Sequence, residues 1–387
     1  MNNIFRILIV SLISVAFMQS CSGGSGNAND AGGADDVRTV TEKQEEKVEV
    51  NGADGDSQTD VEGDEEEGVV RFAEDGLSYI FFGKSKTATV TKKESGKYSG
   101  SIVVPTTVTY NGAEYSVTMV GESAFSGCED LIKVEVQEGV KGIDEGAFAG
   151  CVRLESVTLP ESVEWLGHVA FAGCESLESL TLPKKMRSFG YNCFEGCNSL
   201  KRVVLPDSIV HINLYAFARC SSLANIDIPE GVTTIGENAF EESGLTGVTI
   251  PKSVERIDYG AFAGCRNLTS VVLQEGLREI GLYAFDSCVS LTNIDIPEGM
   301  TTIGENAFEE SGLTGVTIPK SVKRIELGAF AGCRNLTKVT LHEGLEEIED
   351  FAFLNCSSLT DIEIPLSVKF VSSTAFEGCD SLDIGKR

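Results

Sequence analysis

Cysteine is the residue type with the most varied chemistry in this chain, which has 387 residues and 12 cysteines. In an exported protein such a set usually indicates disulfides, whereas cysteines clustered with histidines indicate a metal site. Ten of them, from Cys128 to Cys379, share one recurring position, and serine takes that position at Ser243 and Ser311. Because serine cannot form a disulfide, the pattern favours buried free thiols with a weak hydrogen bond. Some disulfides remain an alternative, and a metal site is a weaker one because no C-x-x-C pair is present.

Histidine and serine give no sign of catalysis. His168, His211 and His342 are the only histidines, and they fall at variable positions of the chain. No serine, histidine and acid share a motif such as G-x-S-x-G, and no glycine-rich phosphate loop occurs. The sequence therefore predicts a protein without catalytic residues or cofactors, that is, not an enzyme.

One acidic segment has the spacing of a calcium loop. Its oxygen-bearing residues fall at the ligand positions of such a loop, but Thr59 stands where a positive φ angle normally requires glycine, and no helices flank the segment. A solvated acidic linker is therefore favoured, with a calcium site as the alternative. The residues concerned are Asp54, Asp56, Gln58, Asp60, Glu62 and Glu65.

The first residues have the pattern of an export signal. Arg6 precedes an apolar run at 7–17, which is short for a bilayer span, and residues 18–21 read Met-Gln-Ser-Cys. A cysteine after a small residue at this place resembles a bacterial lipobox, which implies cleavage before Cys21 and acylation of its thiol. The alternative is an ordinary signal peptide with an incidental cysteine. The prediction is a signal peptide at 1–20, a lipidated, disordered acidic linker at 21–68, and attachment to the cell envelope, at the outer membrane facing the exterior.

Charge excludes one class of partner. The net charge is −28, and residues 22–68 alone carry 15 acidic against 3 basic side chains. Nucleic acids bind proteins mainly through lysine and arginine, so such an acidic chain is not expected to bind nucleic acid.

A repeating unit dominates the rest of the chain. Its phenylalanines are separated by nine intervals of 23 residues and two of 22. A fixed period of this length indicates a solenoid, in which each unit is stable only when its neighbours cover it. The phenylalanines are Phe125, Phe148, Phe171, Phe194, Phe217, Phe240, Phe262, Phe285, Phe308, Phe330, Phe353 and Phe376.

Each unit predicts one strand and one bend. In L-x-x-V-x-L, for example from Leu154 to Leu159, the alternation places valine and leucine inward and the intervening residues outward. All nine prolines directly follow such a strand, where a missing amide donor is tolerated. The A-F-x-G-C segment is expected to form a short turn or helical piece with glycine at its bend. Stacked strands predict one continuous sheet of about 55–60 Å, at about 4.8 Å per unit.

A longer duplication is superimposed on the repeat. Residues 222–268 closely match 290–336, with an offset of 68 residues that equals three whole units. Such a pattern suits a binding scaffold that changes by duplication of its units.

These motifs resemble the BspA-like, or Treponema-pallidum-type, leucine-rich repeats, whose signature is A-F-x-x-C-x-x-L-x-x-I-x-I-P. The resemblance covers residues 69–387 and implies a leucine-rich-repeat solenoid, α/β or mainly β, with parallel strands on one face and about twelve repeats. We expect an N-terminal β cap at 69–121, with a hairpin turn at Asn111-Gly112, followed by repeats at 122–387.

The outward residues of the predicted strands are the candidate binding face, since solenoids of this kind bind partners on an extended surface. They are mostly small and hydroxylic, which equally suits plain strand formation. The candidates are Ser156, Thr158, Ser179, Thr181, Arg202, Asn225, Asp227, Thr249, Ser270, Asn293, Asp295, Thr317, Lys338 and Thr340.

The resemblance implies a cell-surface protein that binds a protein partner, such as a host matrix or plasma protein or another cell. Two alternatives stay open. A glycan-binding protein is disfavoured by the lack of aromatic side chains on the predicted face, and a structural, self-associating envelope protein would need no external partner.

Overall fold

A computed structural model describes residues 76–382, which wind into a solenoid of parallel strands; this part of the chain has no helix. Most turns run through a strand of a first sheet, a strand of a second sheet and a wall of tight turns that contains the repeated phenylalanine, and in most of them a proline follows the first strand. We call these the front sheet, the side sheet and the phenylalanine wall. The predicted leucine-rich-repeat solenoid is confirmed. Eleven complete turns lie between Phe125 and Phe376, and a twelfth unit begins at Phe376.

The front sheet is formed by the predicted L-x-x-V-x-L strands, paired in parallel with the next turn. Its valines are buried and their neighbours face outward, as the alternation predicts. The strands are β3 Gly100–Val104, β6 Leu131–Val136, β8 Ser156–Thr158, β10 Ser179–Thr181, β12 Arg202–Val204, β15 Gly247–Ile250, β17 Ser270–Leu273, β20 Gly315–Thr317, β22 Lys338–Thr340 and β24 Asp361–Ile362.

The expectation of one continuous front sheet was wrong. The sheet is divided into pieces of five, two and three strands, because residues 224–230 and 292–298 form no strand. At both places the outward positions hold asparagine and aspartate, whose side chains compete for backbone hydrogen bonds and are depleted in strands. Both gaps also directly precede a turn shortened to 22 residues.

The side sheet is a second set of parallel strands that the sequence analysis did not predict, and it is interrupted between Phe189 and His211 and between Ile303 and Arg324. Its strands are two residues long, too short to show an alternating pattern, and all but the last bury one apolar side chain. They are β7 Gly142–Ile143, β9 Trp165–Leu166, β11 Ser188–Phe189, β13 His211–Ile212, β14 Thr234–Ile235, β16 Arg256–Ile257, β18 Glu279–Ile280, β19 Thr302–Ile303, β21 Arg324–Ile325, β23 Glu347–Ile348 and β25 Phe370–Val371.

Glycine often follows a side-sheet strand because consecutive turns approach closely there. A Cβ atom on Gly190 would lie 2.4 Å from the backbone nitrogen of His168, and one on Gly167 would lie 2.5 Å from that of Glu145. No side chain fits at such distances without a shift of the backbone. The glycine that the repeat pattern places after V-x-x-I is thus explained by contact between turns.

The phenylalanine wall consists of turns and not of helical pieces. The amide of Phe148 donates to the carbonyl of Ala170 at 2.8 Å, and that of Gly150 donates to Ala172 at 2.7 Å. Equivalent bonds join the other turns, so the wall is a third hydrogen-bonded ladder. Each bend needs two left-handed residues, two positions before and two positions after the phenylalanine, such as Gly146 and Gly150 with φ of 59° and 69°.

The core is organised around the stacked phenylalanines. Neighbouring rings from Phe125 to Phe376 lie nearly parallel, with centroids 5.0 Å apart at the first pair and 5.3 Å at the last. The rings from Phe125 to Phe353 are fully buried. Leucines, valines and isoleucines of both sheets fill the rest of each turn. Since a ring packs mainly on the rings above and below it, the turns depend on each other for burial.

The N-terminal region closes the first turn with antiparallel strands. β1 Ser78–Phe82 pairs with β2 Thr87–Thr91, and β4 Thr107–Tyr110 pairs with β5 Ala113–Val120. Asn111 and Gly112 form the predicted hairpin turn, with φ of 50° and 74°. β5 then continues into the side sheet through β7, and β3 continues into the front sheet through β6.

Candidate binding faces

Ten of the fourteen candidate residues lie on front-sheet strands, eight of them exposed and two, Ser156 and Thr340, partly covered. Adjacent turns bring some of them into register: Ser179 lies between Ser156 and Arg202, and Thr317 pairs with Thr340. The other four, Asn225, Asp227, Asn293 and Asp295, lie in the gaps of the sheet. The face is thus made of three separate ladders with polar interruptions.

The charges of the front sheet are few and partly paired. Lys338 contacts Asp361 on the next turn at 2.7 Å, and this carboxylate raises the pKa of the Lys338 ammonium. Lys201 contacts Glu178 at 3.0 Å. Three exposed valines, Val103, Val204 and Val272, are large apolar side chains on this face. A polar surface with isolated apolar side chains suits binding through hydrogen bonds more than binding through hydrophobic burial.

A column of threonines borders the front sheet, and the sequence analysis missed it. Their hydroxyls mostly donate to the carbonyl of the preceding turn, as Thr269 does to Thr246 at 2.9 Å and Thr337 to Thr314 at 2.9 Å. These hydroxyls therefore stabilise the stack. The only signal in the sequence is the threonine that follows the L of the unit: Thr246, Thr269, Thr292, Thr314, Thr337 and Thr360.

The side sheet carries ion pairs between turns. Arg324 contacts Glu347 at 2.6 Å and Glu349 at 3.3 Å, and Lys369 contacts Glu346 at 2.6 Å. The carboxylate of Glu347 raises the pKa of Arg324, and the ammonium of Lys369 lowers the pKa of Glu346. These exposed pairs add little to stability, but they leave the side sheet less available for charged ligands.

The cysteines line the inside of the phenylalanine wall. All eleven cysteines between Cys128 and Cys379 are buried and unpaired, which agrees with the prediction of free thiols. In most turns the thiol donates a hydrogen bond to the carbonyl of the wall phenylalanine one turn earlier, as Cys174 does to Phe148 at 3.2 Å. Ser243 and Ser311 instead contact the next thiol, at 3.3 Å from Cys265 and 3.2 Å from Cys333. Burial raises the pKa of Cys197 to about 12, so this thiol is a poor nucleophile.

The histidines lie in three different turns and form no common site. His168 accepts a hydrogen bond from the amide of Tyr191 at 2.9 Å. The two rings are tilted against each other, with their centroids 4.7 Å apart. Within residues 76–382, no group of three histidine, cysteine, aspartate or glutamate side chains is arranged to hold a metal ion. The calcium-like segment and Cys21 lie outside the described residues. No helix of the described part is long and apolar enough to cross a bilayer.

A family comparison decides how this arrangement is classified. The model of the BspA type leucine-rich repeat region matches residues 106–194, 141–269 and 255–383. Together these matches cover most of the chain. The chain belongs to the BspA-type leucine-rich repeat family. The predicted resemblance is therefore confirmed.

Several solved structures of bacterial proteins are similar to this chain. A leucine-rich cell surface protein of Faecalibacterium prausnitzii is 26% identical, with a TM-score of 0.58, covering 82% of this chain and 96% of that one. The pneumococcal vaccine antigen PcpA is 21% identical, with a TM-score of 0.54, covering 81% of this chain and 96% of that one. A leucine-rich repeat protein of Bacteroides ovatus is 24% identical, with a TM-score of 0.48, covering 81% and 93%. No curated protein sequence matches the chain.

Proposed function

We propose that this BspA-type protein is a lipid-anchored bacterial cell-surface protein that binds a macromolecular partner in the manner of an adhesin and carries no enzymatic activity. The observation that carries the proposal is the front sheet: three exposed ladders of mostly small polar side chains on one stack of turns, in a chain similar to a cell surface protein of Faecalibacterium prausnitzii. Proteins of the host matrix or of other cell surfaces are the proposed partners.

The proposed anchor is a lipid on Cys21, in the outer membrane with the solenoid facing outward. The acidic segment that follows would hold the solenoid away from the membrane, since like charges extend a chain. Substitution Cys21→Ser is expected to release the protein from the membrane fraction. External protease acting on intact cells is expected to degrade the repeats. Protection of the repeats would contradict an outward orientation.

Binding is tested with intact cells that express the chain, incubated with immobilised matrix proteins and, in parallel, with a glycan array. We expect capture by a matrix protein, and we expect Thr181→Lys with Thr249→Lys to abolish it, because both long charged side chains would obstruct the front sheet. A matched control is Thr233→Lys with Thr301→Lys, which places the same charges on exposed threonines beside the side sheet.

Each alternative has its own result in this experiment. Capture only on glycans would replace the protein partner by a carbohydrate. Aggregation of the expressing cells without any capture would favour self-association. Equal loss of binding in the front-sheet variant and in the control would show that the front sheet is not the binding face.

A further inference from the structure

Trp165, the single tryptophan of the chain, lies on the outward face of the side sheet and is partly exposed. Its indole covers Gly142 of the preceding turn, where an added Cβ atom would lie 2.3, 2.5 and 2.7 Å from Cε2, Cζ2 and Nε1 of the ring. Because these three atoms are nearly equidistant from that point, one face of the indole packs on the backbone. The opposite face is directed away from the sheet. Within residues 76–382, Nε1 of Trp165 has no hydrogen-bond acceptor.

Two further rings lie near this tryptophan. His168 follows on the same turn and Tyr191 lies one turn later; both are exposed, the tyrosine by 48%, although large aromatic side chains are normally covered. The two rings contact each other, and the Tyr191 amide that donates to Nδ1 fixes the imidazole. Because Nδ1 accepts this hydrogen bond, Nε2 carries the hydrogen of the neutral imidazole and can donate it. We call Trp165, His168 and Tyr191 the aromatic platform.

Glycines leave the surface beside these rings free of side chains. Gly167 and Gly190 occupy the same position in the two turns that carry the aromatic platform, and both are required there by the close approach of adjacent turns. The same position holds Asp144 one turn earlier and Asn213 one turn later. The rings therefore border a shallow floor of backbone that is limited by a polar side chain at either end.

The charges around the aromatic platform are mixed in sign and unpaired. Lys141, Glu164 and Arg187 stand directly before the side-sheet strands of three successive turns, so positive and negative side chains alternate along the stack. With Asp144 and Glu145 they give three acids against two bases. None of the five forms an ion pair in the described part of the chain, whereas later turns of the side sheet do carry ion pairs. The surroundings thus offer hydrogen-bond donors and acceptors without a strong field of one sign.

We propose that the aromatic platform is a binding site for a neutral saccharide chain. The rings of Trp165 and Tyr191 stack on the C–H faces of sugar rings, because the face of an aromatic ring is negative and attracts such hydrogens. The hydroxyl groups of the saccharide accept hydrogen bonds from Nε1 of Trp165 and Nε2 of His168, and they bond to the side chains of Glu164 and Arg187. This surface is separate from the front sheet, so it does not depend on the proposed function of that sheet.

The spacing of the rings suits an oligosaccharide better than a single sugar. The indole of Trp165 lies over the turn of Gly142, and Tyr191 belongs to the second turn after it. Two turns correspond to roughly 10 Å along the stack. One pyranose unit of a saccharide chain is about as long as one turn, so a chain of two or three units reaches both rings.

Other classes of partner use less of this surface. An extended peptide that adds a strand needs an unpaired strand edge, but Trp165–Leu166 is paired on both sides, with Gly142–Ile143 and Ser188–Phe189. A polyanion or a polycation needs a field of one sign, which the alternating charges do not provide. A neutral saccharide uses both the ring faces and the mixed donors and acceptors. The aromatic side chains that the front sheet lacks are thus present on the side sheet.

The test uses the intrinsic fluorescence of the intact chain, which reports on this site because Trp165 is its single tryptophan. The chain is titrated with neutral hexasaccharides of glucose, mannose, galactose and N-acetylglucosamine, and with hexamers of galacturonate and of lysine as charged controls. We expect a saturable change of emission with a neutral hexasaccharide, and binding about tenfold weaker with its monosaccharide. No change with any neutral hexasaccharide up to about 10 mM, or tighter binding of a charged hexamer, would overturn the proposal.

Variants of the chain locate the site. Tyr191→Ala removes an exposed ring and is expected to weaken binding of the hexasaccharide about fivefold. Trp165→Ala is expected to weaken it at least about tenfold, measured by calorimetry because this variant has no tryptophan. Trp165→Phe keeps a ring over Gly142, which preserves the packing of the sheet, and is expected to weaken binding about threefold.

The matched control is Tyr259→Ala, which removes a tyrosine from the same position three turns later, where it is 41% exposed and has no tryptophan nearby. It is expected to leave binding within about twofold of the unmodified chain. If this control weakens binding as much as Tyr191→Ala, the proposed site is wrong. Thr181→Lys with Thr249→Lys obstructs the front sheet and is expected to leave saccharide binding unchanged; a loss in that variant would place the saccharide on the front sheet and overturn the proposal. Thermal unfolding of every variant verifies that it is folded.

Discussion

The cap at 76–121 and the repeats at 122–382 both cover apolar surface of the stack, but they do so with different strand arrangements and opposite net charges. The cap has five lysines against two glutamates, a net charge of +3, whereas the repeats have 39 acidic and 19 basic side chains, a net charge of −20. The cap uses antiparallel hairpins, which close on themselves, while each repeat pairs only with its neighbours. The comparison teaches that a stack of identical turns needs one dissimilar region to cover its first apolar face.

An aromatic contact joins the two regions in the core, in addition to the pairing of β3 with β6 and of β5 with β7. The ring of Tyr98 packs against Phe125, the first ring of the stack, at 4.8 Å. The Tyr98 hydroxyl donates to the carbonyl of Thr91 at 2.8 Å and accepts the amide of Ser78 at 2.9 Å. One side chain therefore fixes the hairpin of the cap and continues the core of the repeats.

Of the changes considered, high pH is expected to lower the free energy of unfolding the most, and it acts through the cysteines of the repeats. Burial raises the pKa of four of their thiols to about 12, at Cys151, Cys197, Cys265 and Cys333. Unfolded thiols ionise above about pH 8.5, so between that pH and about 12 the unfolded state holds fewer protons and stability falls as pH rises. Each thiol contributes a loss of about 1.4 kcal/mol per pH unit.

The measurement is denaturant unfolding at several pH values, with thiolate absorbance recorded in parallel. We expect full stability below about pH 8.5, and thiolate that forms only as the repeats unfold. Residues 76–121 contain no cysteine, so the cap makes no thiol contribution to this loss. Thiolate formation in the folded protein near pH 9 would contradict the burial of the cysteines.

Truncation of a central ring is the next largest effect. Phe217→Ala leaves a cavity between the rings of Phe194 and Phe240, and is expected to lower the free energy of unfolding by about 4 kcal/mol. Phe376→Ala, at the last, partly buried ring, is expected to cost about half as much. Denaturant unfolding of both variants compares them. Equal losses of unfolding free energy in the two variants would mean that a ring does not depend on having a neighbouring ring on both sides.

The junction with the cap is tested by removing one hydroxyl. Tyr98→Phe keeps the ring contact but leaves the Ser78 amide and the Thr91 carbonyl without that partner, and is expected to cost about 2 kcal/mol. Tyr191→Phe is the control, because Tyr191 is exposed on the repeats, and no measurable loss is expected. If the two variants unfold at the same denaturant concentration, the Tyr98 hydroxyl does not hold the cap.

The smallest expected effect is a gain in stability. Val169 has a φ of 49°, a left-handed conformation that a β-branched side chain tolerates poorly, whereas Asn192 occupies the equivalent position one turn later with a φ of 54°. Val169→Asn is expected to raise the free energy of unfolding by about 1 kcal/mol. A loss of stability, seen as a lower unfolding temperature, would show that the valine side chain contributes more by packing than it loses by strain.

The regular spacing of the phenylalanines predicted the stack, the alternation in L-x-x-V-x-L predicted the inward residues of the front sheet, and serine at two cysteine positions predicted the free thiols. The side sheet was missed because strands such as Trp165–Leu166 are too short to show an alternating pattern. The aromatic side chains that precede the wall phenylalanines were missed for a different reason. They alternate between two positions of the repeat, as at Tyr191 and Tyr215, so their common place is visible only once the bends of the wall are known.

The sequence predicted which residues of the front sheet face outward, but it did not predict that the sheet is interrupted. Alternation correctly turned Thr181 and Thr249 outward. It gave no warning that asparagine and aspartate at Asn225 and Asp227 interrupt the ladder, because the competition between side-chain and backbone hydrogen bonds is a property of the assembled sheet. Whether these residues bind a partner remains a proposal.

Amide hydrogen exchange of the intact chain tests the central claim most directly, namely that the turns are stable only as one stack closed by its cap. The amides of the phenylalanine wall, such as those of Phe148, Phe217 and Phe285, each donate to the next turn. We expect similarly slow exchange at all of them, because they open together, and faster exchange only in the last turn. Independent exchange rates from one turn to the next, or rapid exchange at Phe125 beneath the cap, would contradict the account.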